Sequence, residues 1–384
     1  MKDLRAVLDQ RRRDGLYRSR RIADSPQLPE RRLDGGGCLS FCSNDYLGLA
    51  AHPQVGAALQ RGADHWGTGS GAAHLLAGHT AAHHALEEEL ADFVGAPRAL
   101  LFSTGYMANL GVMAALLGRG DRLFQDRLNH ASLLDGARIS GARLIRYAHR
   151  DPGDLERRLD EAPAGERLIA SDGVFSMDGD VAPVAGLQAL AQRHAAWLLV
   201  DDAHGLGVLG PGGRGSLAQA GIAPAGGLVL MGTLGKGLGT FGAFVAGGED
   251  LIETLIQQAR SYVYTTAPPA ALAEATRAAL RLCREEGWRR DKLQALVGRF
   301  RTGAAQLGLP LMESDTPIQP LLIGDTRAAT RLSAALERAG ILVPAIRPPT
   351  VPEGAARLRI SFSAAHDEAQ VDRLLDALGS ALEG

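Results

Sequence analysis

A chain of 384 residues, 46% hydrophobic and 22% charged, has the make-up of a soluble globular protein with room for two domains. Its 41 Lys+Arg against 43 Asp+Glu leave a formal net charge of -2, so no overall field draws it to nucleic acid or to an anionic membrane. The three cysteines, Cys38, Cys42 and Cys283, are too few for a disulfide framework and have no second ligand cluster, which predicts a reducing, cytoplasmic setting and no metal.

The opening stretch MKDLRAVLDQRRRDGLYRSRR lacks the apolar run of a secretion signal, and Asp3, Asp9 and Asp14 argue against a transit peptide. Leu4, Val7 and Leu8 at helical spacing predict an amphipathic helix that begins an N-terminal arm over residues 1–45. From about residue 75 to 250, helices, glycine-marked turns and short apolar strands alternate. HTAAHHALEEELADFVG places Ala82, Leu86, Leu90 and Phe93 on one helical face and stops at Gly95; ALLF then reads as a strand and YMANLGVMAALLG as the next helix. Further strands are predicted at RLIRYA, RLIASD, WLLVDD, LVLMG and FGAFVAG, with the helix LQALAQRH before the third. Apolar runs without alternation, separated by helices, are what a sheet covered on both faces requires. Residues 46–285 are therefore predicted to form a large, mainly parallel α/β domain. The helical stretch from PPAALAEATRAALRLCREEGW onward then crosses to a smaller C-terminal α/β domain over 286–384, where IQPLLIG, ILVPAI and ARLRISFSAAH read as strands.

Ligands of an open α/β sheet gather beyond the carboxyl ends of its strands, and four of these ends carry polar residues. LLFSTGYMAN passes from strand through Ser103, Thr104 and Gly105 into a helix, which aims free N–H groups at an anion. RLIASDGVFSMDGD brings Asp172, Ser176 and Asp178 without the spacing of a calcium loop. WLLVDDAHGLG ends on Asp201 and Asp202, then His204; a carboxylate there suits a metal ligand, a base, the partner of a protonated ring nitrogen or a simple cap. MGTLGKGLG adds the hydroxyl of Thr233 and the amine of Lys236. Lysine occurs only at Lys2, Lys236 and Lys292, while arginine supplies nearly all other positive charge. A lysine kept among glycines is thus a candidate for work arginine cannot do, losing its proton and attacking a carbonyl; the plain alternative is a lysine in a turn.

A pyridoxal phosphate site asks for these parts together: a lysine for the Schiff base, a carboxylate opposite the pyridine nitrogen and a helix N-terminus for the phosphate. A P-loop is excluded, because Leu230 stands where its first glycine is needed and Gly237 where a serine or threonine should follow the lysine. The glycines at 67 to 71 precede no clear strand–glycine–helix unit, which disfavours nicotinamide binding. HTAAHH, from His79 to His84, lacks the glutamate of a zinc-protease helix and is predicted to supply surface or core histidines.

FCSNDYLGLA, HWGTGSGAAHLLAGHTAAHHALEEELA, DRLNHASLLDGAR, SDGVFSMDGDVAPV, VDDAHGLGVLGPGGRG, GTLGKGLGTFGAFVAG, YVYTTAPP and IRPPTVPEGAARLRISFSAAH follow one another in an order that resembles the α-oxoamine synthases, pyridoxal phosphate enzymes of the aspartate aminotransferase fold type (fold type I). The resemblance spans nearly the whole chain. It implies a catalytic set of Lys236 as the Schiff-base lysine, Asp201 as partner of the pyridine nitrogen, His204 beside the phenolic oxygen with Ser176, and His130 stacked on the ring. Gly105 and Tyr106 would give backbone N–H groups to the phosphate and Thr233 its hydroxyl. Thr265 and Thr266 match a loop that reaches the phosphate from the partner subunit, which implies a homodimer. Asn44, and Arg347 with Thr350, match groups around the amino-acid carboxylate and the bound intermediates, and one of Arg18, Arg20 and Arg21 matches an N-terminal substrate arginine. The activity implied is decarboxylative condensation of L-alanine with a pimeloyl thioester, carried on acyl carrier protein (pimeloyl-ACP) or coenzyme A (pimeloyl-CoA), in biotin biosynthesis. A glycine acyltransferase of the same family and a binding protein that has lost catalysis are the alternatives.

Overall fold

The computed structural model describes residues 1–14 and 16–383. Near the N-terminus, β1 (Glu30–Leu33) and β2 (Gly36–Ser40) form a hairpin. Its turn residues Asp34 and Gly35 have φ of 53° and 80°, the left-handed pair a two-residue hairpin turn requires. Seven strands then build the central sheet: β3 (Arg98–Phe102), β4 (Arg122–Asp126), β5 (Arg143–Tyr147), β6 (Arg167–Asp172), β7 (Trp197–Asp201), β8 (Leu228–Thr233) and β9 (Ala243–Gly247), in the order β3-β9-β8-β7-β6-β4-β5. Only β9 runs antiparallel to its neighbours. The predicted apolar runs divide between two cores, as a doubly covered sheet demands: Leu198 and Val200 of β7 enter one layer and Leu199 the other, and Leu228 and Leu230 of β8 oppose Val229 and Met231.

The C-terminal strands are β10 (Ile318–Gly324), β11 (Ile341–Leu342), β12 (Ala345–Ile346) and β13 (Ala356–Ser361). The stretch ILVPAI, predicted as one strand, is two. Pro344 has no N–H to offer a ladder, and the chain changes sheets across it: β11 pairs in parallel with β2, whereas β12 joins β13 and β10. The arm and the C-terminal strands therefore share one core, with Leu39, Phe41 and Tyr46 packed among Ile341, Leu358, Ile360 and Phe362. The long helical stretch breaks at Glu286 and Gly287 into helices Ala270–Glu285 and Trp288–Gln306. The predicted first helix forms over Leu4–Arg13, capped by Asp3, but its apolar residues Leu4, Val7 and Leu8 are exposed. Among the described residues no helix is long and apolar enough to cross a membrane.

One polar clamp ties the rim of the sheet to the loop after β6. His149 lies between Asp126 Oδ1 at 2.9 Å and Asp180 Oδ2 at 2.8 Å. Burial works against its charge, yet the hydrogen bonds and attraction of the two carboxylates outweigh it and bring the imidazole up to about 9. A group bound more tightly to its proton in the folded chain stabilises below its unfolded pKa, about 6.5, and that contribution is lost as pH rises through 9. His149→Gln is expected to cost about 1–2 kcal/mol at pH 6, at the lower end for charge-assisted bonds because the ring is partly solvated. The same substitution should cost clearly less at pH 10; equal losses at both, read from urea unfolding, would show that the clamp carries no charge.

Candidate active site

The carboxyl ends of β3, β6, β7 and β8 surround a cavity of ≈ 360 Å³. Lys236 stands in the loop between β8 and β9, which closes on itself through Leu234 N–H to Gly242 O (2.9 Å), Thr240 N–H to Leu234 O (2.9 Å) and Gly239 N–H to Lys236 O (3.0 Å). The glycines around the lysine are explained by crowding. A Cβ on Gly237 would collide with the Leu206 carbonyl oxygen, and one on Gly239, where φ is 64°, with the backbone of Leu49 and Ala50. The loop is thus pressed against two other segments, and the lysine projects its side chain into the cavity wall.

The amine meets a hydrogen-bonded chain. Lys236 Nζ donates to His204 Nε2 at 2.8 Å; the ring proton then sits on Nδ1 and is donated to Tyr46 Oη at 2.6 Å, and the Tyr46 hydroxyl donates to Asn44 Oδ1 at 3.2 Å. Arg359 Nη2 also donates to Asn44 Oδ1, at 3.2 Å, and Arg359 Nε to the Ser176 carbonyl at 2.6 Å. Burial, reinforced by the neighbouring charge of Lys236, holds His204 well below its ordinary pKa and keeps it neutral. Burial also lowers the Lys236 ammonium; Asp201 and Asp172 oppose it, and the balance lies at about 8.

At the end of β7, Asp201 is buried and accepts from Asn109 Nδ2 at 2.7 Å and from Ala203 N–H at 3.1 Å. Asn109 Nδ2 also donates to Ser132 Oγ at 2.9 Å, which in turn donates to His130 Nδ1 at 2.8 Å. That network leaves the His130 proton on Nε2, at the cavity. Asp172 is buried beside Asp201, and burial followed by that neighbour's charge raises its carboxyl well above the usual range. At the mouth of β3, helix Gly105–Leu116 begins at the cap Thr104, whose hydroxyl accepts from Met107 N–H at 3.2 Å. The N–H groups of Gly105 and Tyr106 precede any intrahelical acceptor. A Cβ on Gly105 would stand 3.3 to 3.5 Å from Met231 and Thr233, so glycine keeps this anion cradle open against the Thr233 hydroxyl.

These parts fit pyridoxal phosphate. The test is Asp201: a buried carboxylate that faces the cavity, receives two neutral donors and has no ion pair within 4 Å among the described residues, so a protonated ring nitrogen would supply the cation it lacks. Lys236 would engage the aldehyde, and the Gly105 and Tyr106 amides with Thr233 would hold the phosphate.

Of the residues singled out in the sequence, Asn44, Gly105, Tyr106, His130, Ser176, Asp201, His204, Thr233 and Lys236 all line this cavity. Arg18, Arg20, Thr265, Thr266, Arg347 and Thr350 do not. Arg18 and Arg20 are exposed, and Arg21 is engaged by Asp34 at 2.6 Å and Glu337 at 2.5 Å, which ties the arm to helix Thr326–Arg338. Arg347 and Thr350 share a turn, Thr350 N–H to Arg347 O at 3.1 Å. Thr266 bridges to Ala73. Sequence reasoning missed Arg359 and Tyr46. A signal for the first existed: in ARLRIS two arginines alternate within a strand whose six residues are all buried; Arg357 pairs with Asp178 at 2.6 Å, leaving Arg359 as the cation beside the cavity.

The chain matches the family model for class I and II aminotransferases over residues 37–378. It is 63% identical to the 8-amino-7-oxononanoate synthase of Thioalkalivibrio sulfidiphilus, covering 100% of this chain and 98% of that protein. It is also 63% identical to the synthase of the same name from Nitrosococcus oceani, over 97% and 98% of the two chains. A serine palmitoyltransferase from S. paucimobilis, solved with bound PLP and myriocin, superimposes with a TM-score of 0.93 at 30% identity over 99% of this chain and 96% of that one.

Proposed function

Because the chain belongs to the class I and II aminotransferase family, and within it to the 8-amino-7-oxononanoate synthases, we propose that it condenses L-alanine with a pimeloyl thioester, releasing carbon dioxide and the free thiol. It is a pyridoxal phosphate-dependent acyltransferase of biotin biosynthesis. When bound, the cofactor supplies an aldehyde for amines and a cationic ring that draws electrons from the amino-acid α-carbon. In our reading the chain's own groups do the rest. Lys236, with its ammonium lowered to about 8, has a useful neutral fraction at physiological pH and removes the α-proton. Asp201 holds the ring nitrogen protonated. Arg359 and Asn44 receive the alanine carboxylate, and the His130 Nε2–H donates to the thioester oxygen as it gains charge.

The observation that carries this reading is the single cavity in which Lys236, bonded to neutral His204, faces Asp201. Its test is a matrix of thiol-release rates for pimeloyl, succinyl, acetyl and palmitoyl thioesters against alanine, glycine and serine, on both coenzyme A and acyl carrier protein. Each buried methylene is worth about 0.8 kcal/mol, so the three separating pimeloyl from succinyl should give a preference of roughly fiftyfold. Preference for acetyl with glycine, or for palmitoyl with serine, would move the assignment to another member of the family.

We place the enzyme in the cytoplasm as a homodimer. Thr265 and Thr266 stand outside their own cavity, and the apolar side chains of Leu76, Phe241 and Tyr264 are exposed, as expected where a second copy packs. Mixing Lys236→Ala chains with chains carrying Thr265→Ala and Thr266→Ala is expected to restore activity, because hybrid dimers then hold one intact site. Activity no higher than the sum of the parents, with subunit exchange demonstrated, would count against a shared site.

A further inference from the structure

The histidines of HTAAHH take no part in the chemistry above, yet they are gathered. His79, just before helix Ala81–Val94, and His84 and Glu87, one turn apart on that helix, each offer a ligand atom within 4.8 Å of the others. They line a second cavity of ≈ 280 Å³, separate from the cofactor site. His79 Nε2 stands 3.9 Å from Glu87 Oε2. That is too far for a hydrogen bond and close to the roughly 3.3–3.5 Å between two ligands that each lie 2.0–2.2 Å from one tetrahedral ion. Glu87 is only 13% exposed in its side chain, and its other oxygen accepts from Leu101 N–H at 2.9 Å. Arg98, a nearby cation, is drawn instead toward Glu249 and Glu253 at 3.4 and 3.5 Å.

The tautomer of His79 is set by its neighbour His74. His74, also on the cavity wall, is 8% exposed, and its Nε2 has no hydrogen-bond partner among the described residues. Its Nδ1 meets His79 Nδ1 at 2.9 Å, and its ring stacks on Tyr262 with centroids 5.0 Å apart. With His79 donating through Nδ1, its Nε2 lone pair is free and turned toward Glu87, the arrangement by which an outer partner fixes the tautomer of a metal-bound imidazole. His83 is not available in this way, because its Nδ1 accepts from Thr80 N–H at 3.1 Å and its Nε2 donates to Pro268 O at 2.7 Å.

We propose that His79, His84 and Glu87 form a binding site for a divalent transition-metal ion of the zinc class, oriented by His74. Two neutral imidazoles and a carboxylate are donors that suit Zn²⁺ and Co²⁺. The exposed side, where His84 approaches Glu88 at 3.5 Å, leaves room for water or for Glu88 as a further ligand. The ion braces structure and does no chemistry. It joins the helix to the segment 74–78, and the adjoining residues are tied to the Thr265–Thr266 loop by Ala267 N–H to Ala72 O at 3.0 Å and Ser70 Oγ to Pro268 O at 2.5 Å.

The test uses the chelator-washed holoenzyme, freed of unbound cofactor, titrated with ZnCl₂ and with CoCl₂. One equivalent of Zn²⁺ per chain should bind and raise the unfolding temperature, and Co²⁺ should give the visible absorption of a four- or five-coordinate N/O site. His84→Ala removes an exposed side chain and should leave the fold intact while weakening binding at least about tenfold. Glu87→Gln should weaken it similarly, and His65→Ala should change nothing. No saturable equivalent, or an affinity unchanged in His84→Ala, overturns the site.

Discussion

Lys236→Ala is expected to yield a folded protein that no longer couples covalently to pyridoxal phosphate and turns over at least about 10³-fold more slowly. No other residue lining the cavity carries an amine. Borohydride reduction followed by peptide mapping should therefore label the Lys236 peptide in the parent and nothing in the variant. The lowered pKa adds a second readout. The neutral amine is the reactive form, so the rate of covalent attachment to the cofactor-free parent should climb about tenfold per pH unit and level off above about 8. A rate still climbing at pH 10, where an ordinary lysine titrates, would mean that burial does not tune this amine; labelling that survives Lys236→Ala would remove the lysine from its role.

Asp201→Asn should cost turnover roughly 10²–10³-fold with little change in the unfolding temperature. The amide fills the same volume and can still accept from Ala203 N–H or Asn109, but it carries no charge to hold a ring nitrogen protonated. Asp172, although adjacent, is a poor replacement, since burial, the larger cause of its raised pKa, persists when the Asp201 charge is gone and still favours its protonated, uncharged form. Asp172→Asn is accordingly expected to lose far less activity. Turnover of Asp201→Asn within about threefold of the parent would show that the carboxylate is a strand cap and nothing more.

The sheet and most of the cavity wall were legible in the sequence because both rest on local pattern. Unbroken apolar runs such as WLLV and LVLM require two covered faces, and a ligand-bearing residue directly after such a run can lie only at the sheet's carboxyl edge. That logic finds Asp201, Thr233 and Gly105. It cannot find Tyr46 or Arg359, whose roles arise from distant segments meeting: Tyr46 reaches His204 across 158 positions and Arg359 reaches Asn44 across 315. The break of ILVPAI was visible in Pro344, yet only the fold tells which sheet each half joins. The first helix shows the opposite case, a spacing read correctly whose apolar face has no cover within the described chain.

The pairing of β2 with β11 also bears on how the protein is made. Ser363 Oγ holds the Asp45 carbonyl 318 positions away, and His366 holds that of Ser40. A ribosome adding about 5–20 residues per second needs roughly 16–64 s to deliver those partners. During that interval Leu39, Phe41 and Tyr46, all fully enclosed in the finished molecule, lack the C-terminal strand residues Ile341, Leu358, Ile360 and Phe362 of their core, while the central sheet can already close around β3 to β9. The stretch 39–46 thus waits unpaired for most of the synthesis of the chain, and the wall of the active site formed by Asn44 and Tyr46 gains its last supports only when residues 359–366 have been made.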